Sequence, residues 1–231
     1  MNPAAVAHSL FPQSMLAHLH STAVIAVLVV EQPRQAVQLA RALLAGGVAA
    51  MELTLRTPAA LQCLKAVRSE VPEMIAGAGT IIQPAQVAAV VEAGAAFGVA
   101  PGTNPEVIRE AVGAGLPFAP GVVTPTDIDL ALRAGCHDLK FFPAEPSGGL
   151  PMLASIKAPW AHLGIRYIPL GGITAANLHS WLSDPDVLAV GGSWLARREL
   201  IDAEAWDQIT ALAAQATAIA RAVRQPATAT T

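Results

Sequence analysis

Apolar runs recur along the chain at 23–30, 48–55, 74–79, 97–100, 117–120, 138–142, 166–170 and 187–191. The stretches between them carry a repeated punctuation. Proline follows a polar residue at Gln32-Pro33, Thr57-Pro58, Gln83-Pro84, Asn104-Pro105 and Thr124-Pro125. Each pair reads as a helix start, because proline fits the first helical position, where its missing N–H costs nothing. Glycine closes the same stretches at 45–47, 93–95, 113–115 and 134–136, where a left-handed C-cap is expected. Eight short strands alternating with helices predict parallel βαβ units, and hence an α/β fold that closes as a single (β/α)8 TIM barrel. An open doubly wound sheet is the alternative. It lacks its dinucleotide fingerprint here, since the first strand runs into Val29-Val30-Glu31-Gln32 with no Gly-x-Gly-x-x-Gly. A last long helix is expected over about 203–224. The whole of 1–231 reads as one barrel domain with its core over about 20–215, and 1–10 and 225–231 read as frayed tails.

Alternation within two strands sorts their side chains by face. In the second, Met51, Leu53 and Leu55 share one face and Glu52, Thr54 and Arg56 the other. The apolar face must meet helices, which sends an acid and a base into the sheet interior. Either they pair with each other, or Glu52 moves protons and Arg56 grips a carboxylate through its planar fork. In the sixth strand Lys140 and Phe142 share a face opposite Leu139 and Phe141. Only three lysines occur. Lys65 lies on an amphipathic helix and Lys157 near a helix end, so Lys140 is the one set where a strand finishes. It either snorkels or pairs with a carboxylate, or it is an amine whose pKa is lowered from ~10.4 toward ~7 to 8, a nucleophile for carbonyls that forms a Schiff base. Glycine-rich corners follow strands at 77–80, 171–174 and 191–194, and the last two stand where barrels build phosphate cradles from backbone N–H groups.

Composition narrows the classes. The 231 residues are 53% hydrophobic and 13% charged, with a formal charge of −3 and no run of like charge, which excludes disorder and leaves no basic stripe for nucleic acid. Ala23 to Val30 is too short an apolar run to cross a bilayer, and no positive region precedes it. Cys63 and Cys136 read as two buried thiols of a reducing cytoplasm. The six histidines are scattered, so neither a metal site nor a cofactor is expected.

Four motifs are specific: Glu-Leu-Thr-Leu-Arg-Thr at 52–57, Gly-Ala-Gly-Thr at 77–80, Lys-Phe-Phe-Pro-Ala-Glu at 140–145 and Gly-Gly-Ser-Trp at 191–194. With them the chain resembles the class I aldolases of the 2-dehydro-3-deoxy-6-phosphogluconate and 4-hydroxy-2-oxoglutarate family. The resemblance implies a homotrimer of (β/α)8 barrels that cleaves a 2-keto-3-deoxy sugar acid phosphate to pyruvate and glyceraldehyde 3-phosphate without metal. It implies Lys140 as Schiff-base lysine, Glu52 as general acid/base, and Arg56 and Thr80 as ligands of the carboxylate end. Phe142 then forms an apolar wall, and Gly171, Gly172, Gly192 and Ser193 hold the phosphate. Leu170 departs from the gluconate-type pattern, which has a hydroxyl side chain there, and this leaves discrimination at C4 open between the gluconate and galactonate substrates. An isomerase or epimerase on the same barrel, or a noncatalytic sugar-phosphate sensor, would keep the glycine corners but has no need of Lys140, Glu52 and Arg56 together.

Overall fold

A computed structural model describes residues 9–224. Helix α1 (Gln13–Thr22) precedes β1 (Val24–Leu28), and the chain then alternates through α2 (Pro33–Ala45), β2 (Ala50–Thr54), α3 (Ala60–Glu70), β3 (Ile75–Gly79), α4 (Pro84–Glu92), β4 (Gly98–Val99) and α5 (Pro105–Gly113). Two short strands follow, β5 (Phe118–Ala119) and β6 (Gly121–Val122), then α6 (Pro125–Arg133), β7 (Asp138–Phe141), α7 (Gly149–Lys157), β8 (Arg166–Pro169), α8 (Ala175–Leu182), β9 (Val190–Gly192), α9 (Arg198–Asp202) and α10 (Trp206–Arg224).

Four of the five expected proline starts open helices α2, α4, α5 and α6. The Asn104 side chain caps α5 by accepting from Glu106 N at 2.9 Å, and Asp127 closes a capping box on Thr124. Thr57-Pro58 is the exception, for α3 begins only at Ala60. The Thr57 hydroxyl is committed elsewhere, donating to Val30 O at 2.9 Å, so the segment forms a turn. The glycine stops hold, with Gly47, Gly94, Gly115 and Gly135 all at positive φ between 67° and 87°. The terminal helix expected over about 203–224 is α10, which opens at Trp206 after the short α9. Glu204 takes a φ of 50° between α9 and α10, a left-handed residue that ends one helix before the next begins. The helix α1, which has no counterpart in the sequence expectation, reaches back to Pro12. Ser9 of the expected N-terminal tail donates to the carboxylate of the buried Asp138, which Arg166 also holds at 2.6 Å. Residues 1–8 of that tail and 225–231 lie outside the described residues.

Strand pairing is parallel throughout, in the orders β5-β4-β3-β2-β1-β9 and β6-β7-β8. This is the parallel α/β fold expected, with neighbours in the predicted sequence. Regular laddering is nevertheless interrupted twice. Pro120 has no N–H to donate and splits one extended segment into β5, which pairs with β4, and β6, which pairs with β7. Its carbonyl accepts from Lys140 N at 2.9 Å. Between β8 and β9 only two isolated parallel bridges form, Tyr167 with Val187 and Leu170 with Gly191.

Two apolar layers follow from the alternation. Met51, Leu53, Leu139 and Phe141 face the helices in a large outer core. On the other face Ile25, Ala50, Phe97 and Leu188, near the strands' amino ends, pack with Phe11, Leu16 and Leu19 of the α1 segment. The amino end of the strands is thereby filled with hydrocarbon, and the carboxyl end is left for polar groups.

Candidate active site

Lys140 and Glu52 sit third in β7 and third in β2, strands of different sheets, and only the tertiary fold brings them together. Both point inward, with exposures of 5% and 2%. Lys140 Nζ lies 3.2 Å from Glu52 Oε1 and 3.5 Å from Oε2. The sequence left open whether Glu52 pairs with Arg56; the structure pairs it with Lys140. Burial of two ions is costly unless their geometry is matched, and here each is the other's partner. The ammonium also lies 5.3 Å from the centroid of the Phe142 ring, the residue two along on the same face. Glycine at 79 makes room for the acid, because a Cβ there would overlap Glu52 Oε1. The other lysines are engaged far from this pair, Lys65 with Glu92 and Lys157 with Asp184 and Asp186.

A cavity of about 250 Å³ opens over this pair, and all ten residues singled out in the sequence line it: Glu52, Arg56, Thr80, Lys140, Phe142, Leu170, Gly171, Gly172, Gly192 and Ser193. Arg56 follows β2 and stands exposed, in no ion pair among the described residues. Thr80 follows β3 with a φ of 61°, a left-handed conformation that costs a β-branched residue roughly 1–3 kcal/mol. Leu170 directly follows β8, is 5% exposed, and lies so close on Gly191 that a Cβ there would overlap it.

At the opposite side of the cavity Gly171 and Gly172 turn with φ of 97° and 80°. Among the described residues, the N–H groups of Gly172, Ile173 and Ser193 donate to nothing. Unpaired N–H groups around one hollow suit an anion. The cavity therefore offers a guanidinium near one end, backbone donors at the other, and a buried amine with its carboxylate between them.

The sequence reading passed over Val27, Val29, Pro101 and Ile173, which also line the cavity. The valines alternate on the first strand and were legible by period; Pro101 carries no chemical signal. Thr54 shares the Glu52 face as expected, but its hydroxyl is spent on Leu28 O at 3.0 Å. Among the described residues no three His, Cys, Asp or Glu side chains are placed to hold a metal ion, and no helix is long and apolar enough to cross a membrane.

Parallel strands that gather an amine, a carboxylate and anion-binding backbone at their carboxyl ends define an α/β enzyme built on a buried lysine. Residues 15–212 match the sequence model of the KDPG and KHG aldolases, KDPG being 2-dehydro-3-deoxy-6-phosphogluconate. The chain belongs to this family, and its reaction class is that of a carbon–carbon lyase. It is 42% identical to the KHG/KDPG aldolase of Escherichia coli K12 over 193 residues, 84% of this chain and 90% of that protein. It is 41% identical to the 2-dehydro-3-deoxy-phosphogluconate aldolase of Dickeya dadantii, over 86% of this chain and 92% of the relative. The KDPG aldolase of Legionella pneumophila, whose crystal structure captured pyruvate as a covalent carbinolamine intermediate, superposes with a TM-score of 0.82 at 37% identity, covering 86% of this chain and 96% of that one.

Proposed function

We propose that this aldolase cleaves KDPG to pyruvate and glyceraldehyde 3-phosphate through an imine on Lys140, with 4-hydroxy-2-oxoglutarate, cleaved to pyruvate and glyoxylate, as a second substrate. The observation that carries the reading is the buried Lys140 Nζ, 3.2 Å from Glu52 Oε1 and beneath a cavity lined by Arg56 and by the Gly171–Gly172 corner. Arg56 and Thr80 hold the keto-acid carboxylate, Phe142 walls the reacting carbons, Leu170 borders C4, and Gly171, Gly172, Gly192 and Ser193 hold the phosphate.

Glu52 accepts a proton from the ammonium, freeing the Nζ lone pair to attack C2 of the keto acid. The carbinolamine loses its hydroxyl as water, using the proton that Glu52 now carries, and leaves a protonated imine. The imine draws electrons from C3. Glu52 takes the C4 hydroxyl proton through water, the C3–C4 bond breaks, and its electron pair becomes the enamine as the aldehyde forms. Glu52 returns that proton to C3, and water adds at C2 to release pyruvate. Treatment with pyruvate and borohydride should add one pyruvyl group per chain at Lys140. A label on Lys65 or Lys157, or a requirement for a divalent metal, would overturn the reading.

A galactonate-type substrate is favoured as a second reading by Leu170 alone, since leucine offers C4 no hydrogen bond. The same proposal extends to the whole molecule. The two sheets are taken as one (β/α)8 barrel, joined through Pro120 and the Tyr167–Val187 and Leu170–Gly191 bridges, and three such barrels as a cytoplasmic homotrimer. Exposed Ile82, Val91, Val112 and Leu130, carried on or beside the consecutive helices α4 to α6, support the assembly.

A further inference from the structure

Glu145 closes the Lys-Phe-Phe-Pro-Ala-Glu motif, yet it lines no part of the cavity and touches none of the reacting groups. It lies in the turn between β7 and α7, and its N–H and its side chain both bond to the segment 171–181 that carries the glycine corner. Its N–H donates to Gly171 O at 3.0 Å. Its Oε1 accepts from Trp181 Nε1 at 2.7 Å and from Asn177 Nδ2 at 3.0 Å. The same Asn177 Nδ2 donates to Gly172 O at 3.1 Å, while Asn177 Oδ1 accepts from Thr174 N at 2.8 Å. A Cβ on Gly172 would meet the Glu145 Cβ at 2.5 Å, so the corner lies directly on the Glu145 side chain.

These bonds have one geometric result. Both carbonyls of the corner, Gly171 O and Gly172 O, are held by Glu145 and by the asparagine that Glu145 anchors. Holding both carbonyls fixes the peptide planes of the corner, whose two glycines line the cavity and whose Gly172 N–H is left without a partner among the described residues. The anchor is rigid at its far side, because Trp181 is 1% exposed and packs 6.2 Å from Phe141, beside the strand position next to Lys140. A buried indole N–H left without an acceptor is costly, and Glu145 supplies one to Trp181. The carboxylate thus links three things: the strand that carries the amine, the start of α8, and the corner whose donors face the anion.

We propose that Glu145, acting through Asn177 and Trp181, is a positioning residue that sets the Gly171–Gly172 corner for the substrate's phosphate. This rests on the reading of that corner as the phosphate end. What the site needs from residue 145 is an acceptor of the right reach rather than a negative charge, which would if anything repel a phosphate. Glutamine keeps the acceptor oxygen; alanine removes it and orphans the Trp181 N–H.

The test compares cleavage of KDPG with cleavage of its unphosphorylated counterpart, 2-dehydro-3-deoxygluconate, in wild type, Glu145→Ala and Glu145→Gln, with borohydride trapping of pyruvate as the control for the amine. Glu145→Ala should raise KM for KDPG by ~10- to 100-fold, the scale of a misplaced binding group. The same variant should change kcat/KM for the unphosphorylated acid and the trapping yield less than about threefold. Glu145→Gln should restore KM for KDPG to near wild type. If Glu145→Ala lowers both substrates and trapping equally, Glu145 is merely structural and the inference is overturned. It is overturned too if Glu145→Gln behaves as Glu145→Ala, or if neither variant moves KM. A wild-type enzyme that does not prefer the phosphorylated acid overturns the phosphate reading itself, and is recognised before any variant is compared.

Discussion

At the scale of single residues, the Lys140–Glu52 pair makes a sharp demand on its neighbours. Glu52→Gln should still be trapped by pyruvate and borohydride yet turn over ~10²- to 10⁴-fold more slowly, the usual loss on removing a general acid/base. Gly79→Ala should reproduce much of that loss without touching either group, because its methyl takes the space of Glu52 Oε1. Near wild-type kcat in both would make the acid structural. Leu170 is the second demand. An apolar wall separates ligands that differ at a hydroxyl by only ~1 to 3 kcal/mol, so the wild type should cleave both C4 epimers of the keto acid phosphate, and Leu170→Thr should sharpen the preference in kcat/KM. A wild type that already rejects one epimer by about four orders of magnitude would refute this. Lys140 stood out in the sequence because lysine is scarce, and Glu52 with Arg56 because strand alternation leaves them on one polar face. Their pairing did not, since β2 and β7 lie in different sheets and nothing local records which acid meets the amine. Glu145 was harder still: it closes a specific motif, but nothing local, between Ala144 and Pro146, says what it bonds to.

Among the elements, helix starts were legible wherever the residue before proline is free to cap, and illegible at Pro58, where Thr57 reaches across to Val30 instead. The strands were legible as apolar runs, but the break at Pro120 and the bridges beside β9 depend on ladder geometry that no single strand encodes. The helix α1 shows helical three- and four-residue spacing in Met15, Leu16 and Leu19, obscured by the neighbouring histidines. Its work is stability. Leu19 is fully buried in the cluster at the strands' amino ends, so Leu19→Ala should lower unfolding free energy by ~2–5 kcal/mol, measured by denaturant titration, while KM stays unchanged. A change in KM of the same order as that in stability would show the two ends of the sheet to be coupled. On helix α3 and just ahead of β7, burial pushes the Cys63 and Cys136 thiols up to about 11 and about 12, from an ordinary 9.0. Above pH 9 the unfolded chain sheds these protons and the folded one keeps them, so this contribution is complete below pH 9.0 and is lost as pH rises through 11 to 12. Thiol reagents at pH 8 should leave both unmodified until the protein is denatured; rapid labelling of the native form would contradict their burial.

For the whole molecule, a charged fraction of 13% is low for a domain that meets water on every side, where ~25% is usual. Light scattering should find a trimer that survives dilution, and Val112→Glu or Leu130→Glu should dissociate it; a monomer at all concentrations would refute the assembly. The hydrocarbon plug formed by Phe11, Leu16 and Leu19 has a consequence for traffic. It makes the cleft a blind alley with one mouth, and the amine sits at its dead end while the glycine corner and Ser193 stand near the opening. Two fragments made inside such a cleft cannot leave by separate doors. The phosphorylated aldehyde, nearer the mouth, has to depart while the pyruvyl group is still tethered below, which imposes an order of release with pyruvate last. Pyruvate should accordingly compete with substrate for the empty enzyme, and the aldehyde should not.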